Sequence, residues 1–347
     1  MQSVIMNKND AGQRLDKFLG KYLNEAPKSF IYKMLRKKNI TLNGKKAAGN
    51  ELLSLGDEVK LFLSDETINK FRSAVQIAYP VTKLDIIYED ENLIFLNKPA
   101  GMLSQKADDK TPSMVEYLIG YLLSEKKITE ADLERFKPSV CNRLDRNTSG
   151  LIAAGKSLVG LQFLSEQFKN RTMQKHYLTL VKGKVKIAEQ IKGVLIKNSA
   201  TNRVQIKKLS HTGDVSTQKV DGENYIETAY EPIGGNEDMT LLRVHLITGK
   251  THQIRAHLAS IGHPIAGDTK YGNPSFNQYF QKKYQLRHQL LHAHALYFPE
   301  HSIGGVFEYL EDKEIKATIP EYFHNILERE HIGENKNEKK GRRSYNK

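Results

Sequence analysis

Apolar residues mark out two helices and a small hairpin at the start of the chain. Leu15, Phe18, Leu19, Tyr22 and Leu23 recur at helical spacing, and Pro27 ends that run. A second helix is expected over 28–37, burying Ile31, Met34 and Leu35. Ile40-Thr41-Leu42 then reads as a short strand, Asn43-Gly44 as a tight turn, and Gly56-Asp57 as a turn before Val59-Lys60-Leu61. Residues 63–80 are polar with scattered charge and end at Pro80, which suggests a linker. Beyond it, 84–88 and 93–96 are apolar strands separated by the acidic turn Glu89-Asp90-Glu91-Asn92. Ser157 can cap a helix carrying Leu158, Leu161, Leu164 and Phe168.

Later segments alternate at strand period. Strands are expected at 175–181, 240–247, 290–298 and 305–309, with short β-like runs and polar turns over 184–230. A helix over 251–261 stops at Gly262, with Pro264 just beyond. The body is therefore an α+β domain with a mixed, mainly antiparallel sheet. No internal repeat is visible. From Gly333 the chain is polar, charged and almost free of apolar residues, so a disordered basic tail is expected over 331–347.

Charge sharpens this picture. The 347 residues carry a formal +13, which points to a polyanionic partner. The excess sits at the ends: residues 1–60 hold a net +6 and residues 331–347 a net +4, leaving 61–330 nearly balanced. A folded body with basic appendages fits better than a uniformly basic surface. Lys28, Lys33, Arg36, Lys37 and Lys38 place five cations within eleven residues on and just after the second helix, opposite its buried side. The lone cysteine, Cys141, excludes an internal disulfide, fits a reducing compartment, and reads as a small buried residue rather than a nucleophile. Neither a signal-peptide core nor a membrane-length apolar run appears, so a cytoplasmic protein without membrane contact is expected.

The most informative stretch is Cys141-Asn142-Arg143-Leu144-Asp145-Arg146-Asn147-Thr148-Ser149-Gly150. It sets a carboxylate between two arginines ahead of an apolar run. Cations on both sides favour the charged carboxylate, and a loop beside a strand leaves it available as nucleophile or base. A turn-forming Asp is the ordinary alternative before Asn-Thr-Ser. The loop as a whole, however, resembles the catalytic loop of the RluA/RluC/RluD branch of RNA pseudouridine synthases. Asn97-Lys98-Pro99-Ala100-Gly101, the Lys-x-Tyr of Lys175-His176-Tyr177, and Thr248–Leu258 resemble further motifs of that family. Two positions depart from its pattern: Asn142 stands where His is usual, and Asn147 where an acidic residue is frequent.

The resemblance implies a pseudouridine synthase catalytic domain over 81–330. Ahead of it, 1–62 is similar to the S-four-like (alpha-L) RNA-binding module, from Arg14-Leu15-Asp16 and Ile40–Gly44. It implies Asp145 as the essential carboxylate, Tyr177 as a platform for a flipped base, and Arg255 as the partner of Asp145. Direct ion pairing of Asp145 with Arg255 is expected. Arg143 would fill the space the flipped base leaves, Arg146 would touch phosphate, and the cations of the second helix would contact RNA. The isomerisation involves no net redox change, so no cofactor is expected. His252, His257, His263, His292 and His294 are dense, but their spacing does not suit one helix face, so no metal is expected. The expected partner is RNA, with ribosomal large-subunit RNA ahead of transfer RNA, and the expected state a monomer. A non-catalytic RNA-binding factor and a hydrolase releasing free uracil are the alternatives.

Overall fold

A computed structural model describes residues 1–72, 79–107, 111–198, 203–208, 224–301 and 303–333. The chain forms two compact units. The first comprises residues 1–95, 105–142 and 153–166; the second comprises 96–104, 143–152 and 167 onward.

The first unit opens with β1 (Gln2–Ile5), α1 (Leu15–Tyr22), α2 (Lys28–Arg36), β2 (Ile40–Leu42), β3 (Lys45–Lys46) and β4 (Glu58–Leu61). The strands lie in the order β1-β4-β2-β3, all antiparallel. The periodic residues Leu15, Phe18, Leu19, Ile31 and Leu35 are buried against Ile40, Val59 and Leu61. At the β2–β3 turn Asn43 and Gly44 both take positive φ, 49° and 73°, as the Asn-Gly signal requires. Lys28, Lys33, Arg36, Lys37 and Lys38 are all exposed. The stretch that reads as a linker holds a helix, α3 (Asp65–Phe71), started by Ser64, whose hydroxyl accepts from Thr67 N. Its Ile68 is fully buried in the core of the N-terminal module and Phe71 packs beside it. Two apolar residues three apart suffice to dock one side of a polar segment. Residues 73–78 of the expected linker, and 334–347 of the expected tail, lie outside the described residues.

The same unit contains β5 (Ile86–Glu89), β6 (Leu93–Lys98), α4 (Met114–Ser124), α5 (Glu130–Arg135), β7 (Ser139–Val140), β8 (Ser149–Gly155) and α6 (Leu158–Asn170), of which β6, β8 and α6 run on into the second unit. Capping boxes at Ser113 and Thr129 start α4 and α5. Asn142, one of the departures from the family loop, is used structurally: its Oδ1 accepts from Ala153 N at 2.8 Å.

The second unit adds β9 (Gln174–Lys182), β10 (Glu189–Asn198), β11 (Arg203–Lys208), β12 (Tyr225–Gly235), β13 (Met239–Leu246), α7 (Gln253–Ser260), α8 (Pro274–Tyr284), β14 (Leu291–Phe298), β15 (Lys313–Lys316) and α9 (Glu321–Arg329). Its sheet runs β11-β10-β12-β13-β9-β14, antiparallel throughout, with β15 beside β14. The join of β14 to the start of β8 is parallel, at His292↔Ser149 and Ala293↔Gly150. Gly150 permits that join: its φ is 113°, and an added Cβ would lie 2.2 Å from Ala293 O. The expected α+β class and mainly antiparallel sheet are as found. The expected strand over 305–309 is instead a 3-10 helix, Gly305–Leu310. Gly305 enters at φ 70°, and Phe307 and Leu310 are buried three residues apart, the period of that helix rather than of a strand. The ladder in this region is formed by β15, eight residues on.

Candidate active site

Asp145 lies on the loop ahead of β8, and the backbone on either side of it is pinned repeatedly. The Ser104 hydroxyl accepts from Leu144 N at 3.0 Å and donates to Leu144 O at 2.9 Å. Thr148 N closes a turn onto Asp145 O at 3.0 Å. Gly101 N and Lys98 Nζ both donate to Arg146 O, at 2.8 and 3.1 Å. Farther along, Gln289 Nε2 donates to Thr148 Oγ1, and Ser149 Oγ bonds His292 Nδ1 at 2.9 Å. Such a loop holds its carboxylate in one place without ordering cost at the moment of reaction.

Lys98 closes this frame from β6. It is fully buried, and its Nζ also donates to Pro99 O and Met102 O, each at 2.9 Å. Burial pulls its pKa down to about 7, against the upward pull of Asp145. Three carbonyls match the three donors of the ammonium group.

Arg255 comes from α7. His252 precedes that helix in the left-handed region, at φ 56°. The buried Gln253 side chain fixes the first turn: its amide donates to Glu227 O and Thr228 Oγ1, and its carbonyl accepts from Thr248 Oγ1 and Lys250 N. Two residues later, Arg255 Nη1 donates to Asp145 Oδ2 at 2.9 Å, joining positions 110 apart in the chain. The other edge of the guanidinium is held by Asp268, with Nε–Oδ2 at 2.7 Å and Nη2–Oδ1 at 2.8 Å. Asp268 Oδ1 also accepts from Lys270 N and Tyr271 N.

Burial opposes the charge on Arg255, yet Asp268 and then Asp145 hold its pKa above the ordinary arginine value. Burial likewise opposes the charge on Asp268, but Arg255 and the amides of Tyr271 and Lys270 win, and its pKa is lowered. One guanidinium thus serves two carboxylates with very different access. The Asp268 side chain is 0% exposed and that of Asp145 is 26% exposed. The first anchors the cation, and the second presents an oxygen that an incoming group can reach.

The walls are aromatic. Arg255 lies over the Tyr271 ring at 5.3 Å, and that ring meets His252 edge-on. His252 Nδ1 bonds Tyr271 Oη at 3.1 Å and its Nε2 is 3.9 Å from Asp145 Oδ2. Tyr177, on β9, is 7% exposed; burial, followed by the charge of Asp145, raises its pKa and keeps the phenol neutral. Arg143 and Arg146 are exposed, and Arg146 Nε donates to Gly101 O. The structure therefore assembles Asp145, Arg255 and Tyr177 within one unit and leaves Arg143 and Arg146 facing solvent.

Other residues singled out in the sequence fall outside this cluster. His257, His263 and His294 take Thr228 Oγ1, Lys182 O and Ala317 O as partners. The Cys141 thiol is pushed up to about 11 by burial and stays protonated at neutral pH. Sequence reasoning missed Asp268, Ser104 and the role of Lys98. Asp268 has a signal only in hindsight: it ends the tight Ala266-Gly267-Asp268 turn, where an added Cβ on Gly267 would meet His288 O at 2.2 Å.

This fold is that of a pseudouridine synthase. The solved structure of human RNA pseudouridylate synthase domain containing 4 superposes with a TM-score of 0.55 at 22% identity, covering 72% of this chain and 93% of that one. The RNA pseudouridylate synthase family model matches residues 92–260. Ribosomal large subunit pseudouridine synthase C of Salmonella typhi is 32% identical over 326 residues, covering 91% of this chain and 95% of that protein. The protein of the same name from Vibrio vulnificus is 32% identical over 307 residues, covering 86% and 88%. The chain belongs to the RNA pseudouridine synthase family, of the RluA/RluC/RluD type, and is an isomerase acting on uridine in RNA.

Proposed function

We propose that the protein converts uridines of large-subunit ribosomal RNA to pseudouridine, with Asp145 as the catalytic carboxylate. The observation that carries this reading is the accessible Asp145 oxygen held by an arginine whose charge is already balanced by Asp268. An arginine with Asp145 as sole counter-ion would tie the carboxylate down. With Asp268 supplying the second anion, Arg255 orients Asp145 and leaves it charge to spare.

In the proposed reaction the target uridine is flipped out of its stack onto Tyr177. Asp145 attacks, the bond from sugar C1′ to base N1 breaks, and the freed uracil turns. A bond forms from C1′ to C5, the bond made by Asp145 breaks and its carboxylate is restored, C5 loses its proton and N1 gains one, so no electrons are exchanged. Arg143, exposed two residues from Asp145, fills the gap left in the RNA, and Arg146 meets phosphate.

The N-terminal module, residues 1–62, grips structured RNA in this reading. Its support is the exposed row Lys28, Lys33, Arg36, Lys37 and Lys38 beside a small hairpin. Residues 81–330 form the catalytic domain. The relatives' names favour ribosomal over transfer RNA as target. The enzyme acts as a cytoplasmic monomer; among the described residues no helix is long and apolar enough to cross a membrane. Sedimentation of the purified protein checks the monomer.

The test is to incubate purified protein with large-subunit ribosomal RNA and with transfer RNA and to analyse the nucleosides. Pseudouridine from the ribosomal substrate is expected. Free uracil would mark a hydrolase, and unchanged RNA a binding factor; either outcome defeats the proposal.

A further inference from the structure

Away from the Asp145 cluster the second unit contains a cavity of about 440 Å³, within the range that holds one nucleotide-sized ligand. It is formed by the end of α8 and the face of α9. Leu286 and Ile326, both buried, are among its lining residues, as are Tyr284, Tyr322 and His288. Three cations, Lys283, Arg287 and Arg329, line it, and the Glu330 carboxylate at its edge is bonded to Lys283 and Tyr284.

These cations differ in how they are engaged. Lys283 is committed to Glu330 at 3.0 Å and lies over the Tyr284 ring. Arg287 and Arg329 are exposed, and neither forms an ion pair with a described residue. His288 also lines the cavity, with its ring packed edge-on against Tyr322 at 5.2 Å.

The cavity is also joined to the reaction centre. Gln289, next to His288, donates to Thr148 of the Asp145 loop. The His288 carbonyl packs onto Gly267, the neighbour of Asp268.

We propose that the groove holds one nucleotide of the RNA flanking the target uridine, with phosphate on Arg287 and Arg329 and the base against Tyr322. Unpaired cations beside an aromatic face are the ordinary means of holding single-stranded nucleic acid. The inference rests on the RNA-modifying reading above and adds a site outside the Asp145 cluster.

The experiment measures RNA affinity against salt for the full chain and for an Arg287→Gln/Arg329→Gln double variant. A control, Lys313→Gln/Lys316→Gln, makes the same change in charge on β15. Loss of two phosphate contacts should weaken affinity about tenfold at moderate salt and reduce the log–log salt slope by roughly 1.4. The loss should fall on Kd rather than on the single-turnover rate at saturating RNA, and the control should shift the slope by less than half as much. An unchanged slope in the groove variant, or an equal shift in the control, overturns the proposal. Failure of the wild-type protein to form pseudouridine would instead overturn the functional reading, a separate outcome of the same preparation.

Discussion

Asp268→Asn isolates the part of the site that sequence reasoning overlooked. Asn can keep the Oδ1 contacts to Arg255 Nη2, Lys270 N and Tyr271 N. At the second position it sets an amide NH2 against Arg255 Nε, where 2.7 Å now separates donor from acceptor. One charge-assisted hydrogen bond is lost and a buried donor is left facing a donor. Together these cost about 3–5 kcal/mol of stability, the usual size for breaking a buried ion pair. At about 2–4 °C per kcal/mol for a domain of this size, Tm should fall by roughly 10 °C. Arg255 would also keep Asp145 as its only carboxylate partner and pivot toward it. A displacement near 1 Å at a reacting group costs on the order of a hundredfold in rate. Thermal melting gives the first quantity, and single-turnover pseudouridine formation well below Tm gives the second. A purely architectural role would multiply with other changes. A role exercised through Arg255 should largely vanish when Arg255 is already Lys, which cannot form the two-pronged pair. An Asp268→Asn protein that melts and reacts like wild type would refute the reasoning. So would a rate loss that persists undiminished in the Arg255→Lys background.

Lys98→Met should leave the carbonyls of Pro99 and Met102 without their buried donor, while Arg146 O keeps Gly101 N, lowering stability by about 3 kcal/mol in urea unfolding; an unchanged midpoint would contradict this. His292 is buried and its pKa is lowered by burial to about 4 from 6.5. The unfolded chain therefore binds more protons between those values, so this group's contribution is full above pH 6.5 and lost as pH falls toward 4. His292→Asn should flatten that acid limb, as read from urea midpoints across the interval. Replacing Tyr177 with Leu should slow conversion by roughly 5- to 150-fold, the value of one base stacked on an aromatic ring, whereas Arg143→Ala should weaken RNA binding more than the chemical step. A rate loss confined to chemistry in the arginine variant would remove its assigned place in the RNA.

What the sequence revealed and what it hid follow from the range of the interactions. The two helices of the N-terminal module could be read because Leu15, Phe18, Leu19, Ile31 and Leu35 fix a local periodicity that the core then uses. Asp145, Tyr177 and Arg255 could be read because each sits in a short motif of the family. Helix α3 was hidden because only Ile68 and Phe71 anchor it in an otherwise polar stretch. The 3-10 turn over Gly305–Leu310 was hidden because a two-residue and a three-residue alternation look alike over so few positions. Asp268 was hidden for a different reason. A buried carboxylate gains its meaning from a guanidinium 13 residues earlier, on another element, and no local pattern records that pairing. Lys98 stood in a recognised motif, but its three carbonyl partners become visible only when residues 99, 102 and 146 converge.

The most direct test compares wild type with Asp145→Asn, a change that keeps the shape of the side chain and removes its charge. Both proteins should bind the RNA substrate with similar affinity, while only the wild type converts uridine to pseudouridine. Conversion by the Asn variant at an appreciable fraction of the wild-type rate would contradict the account.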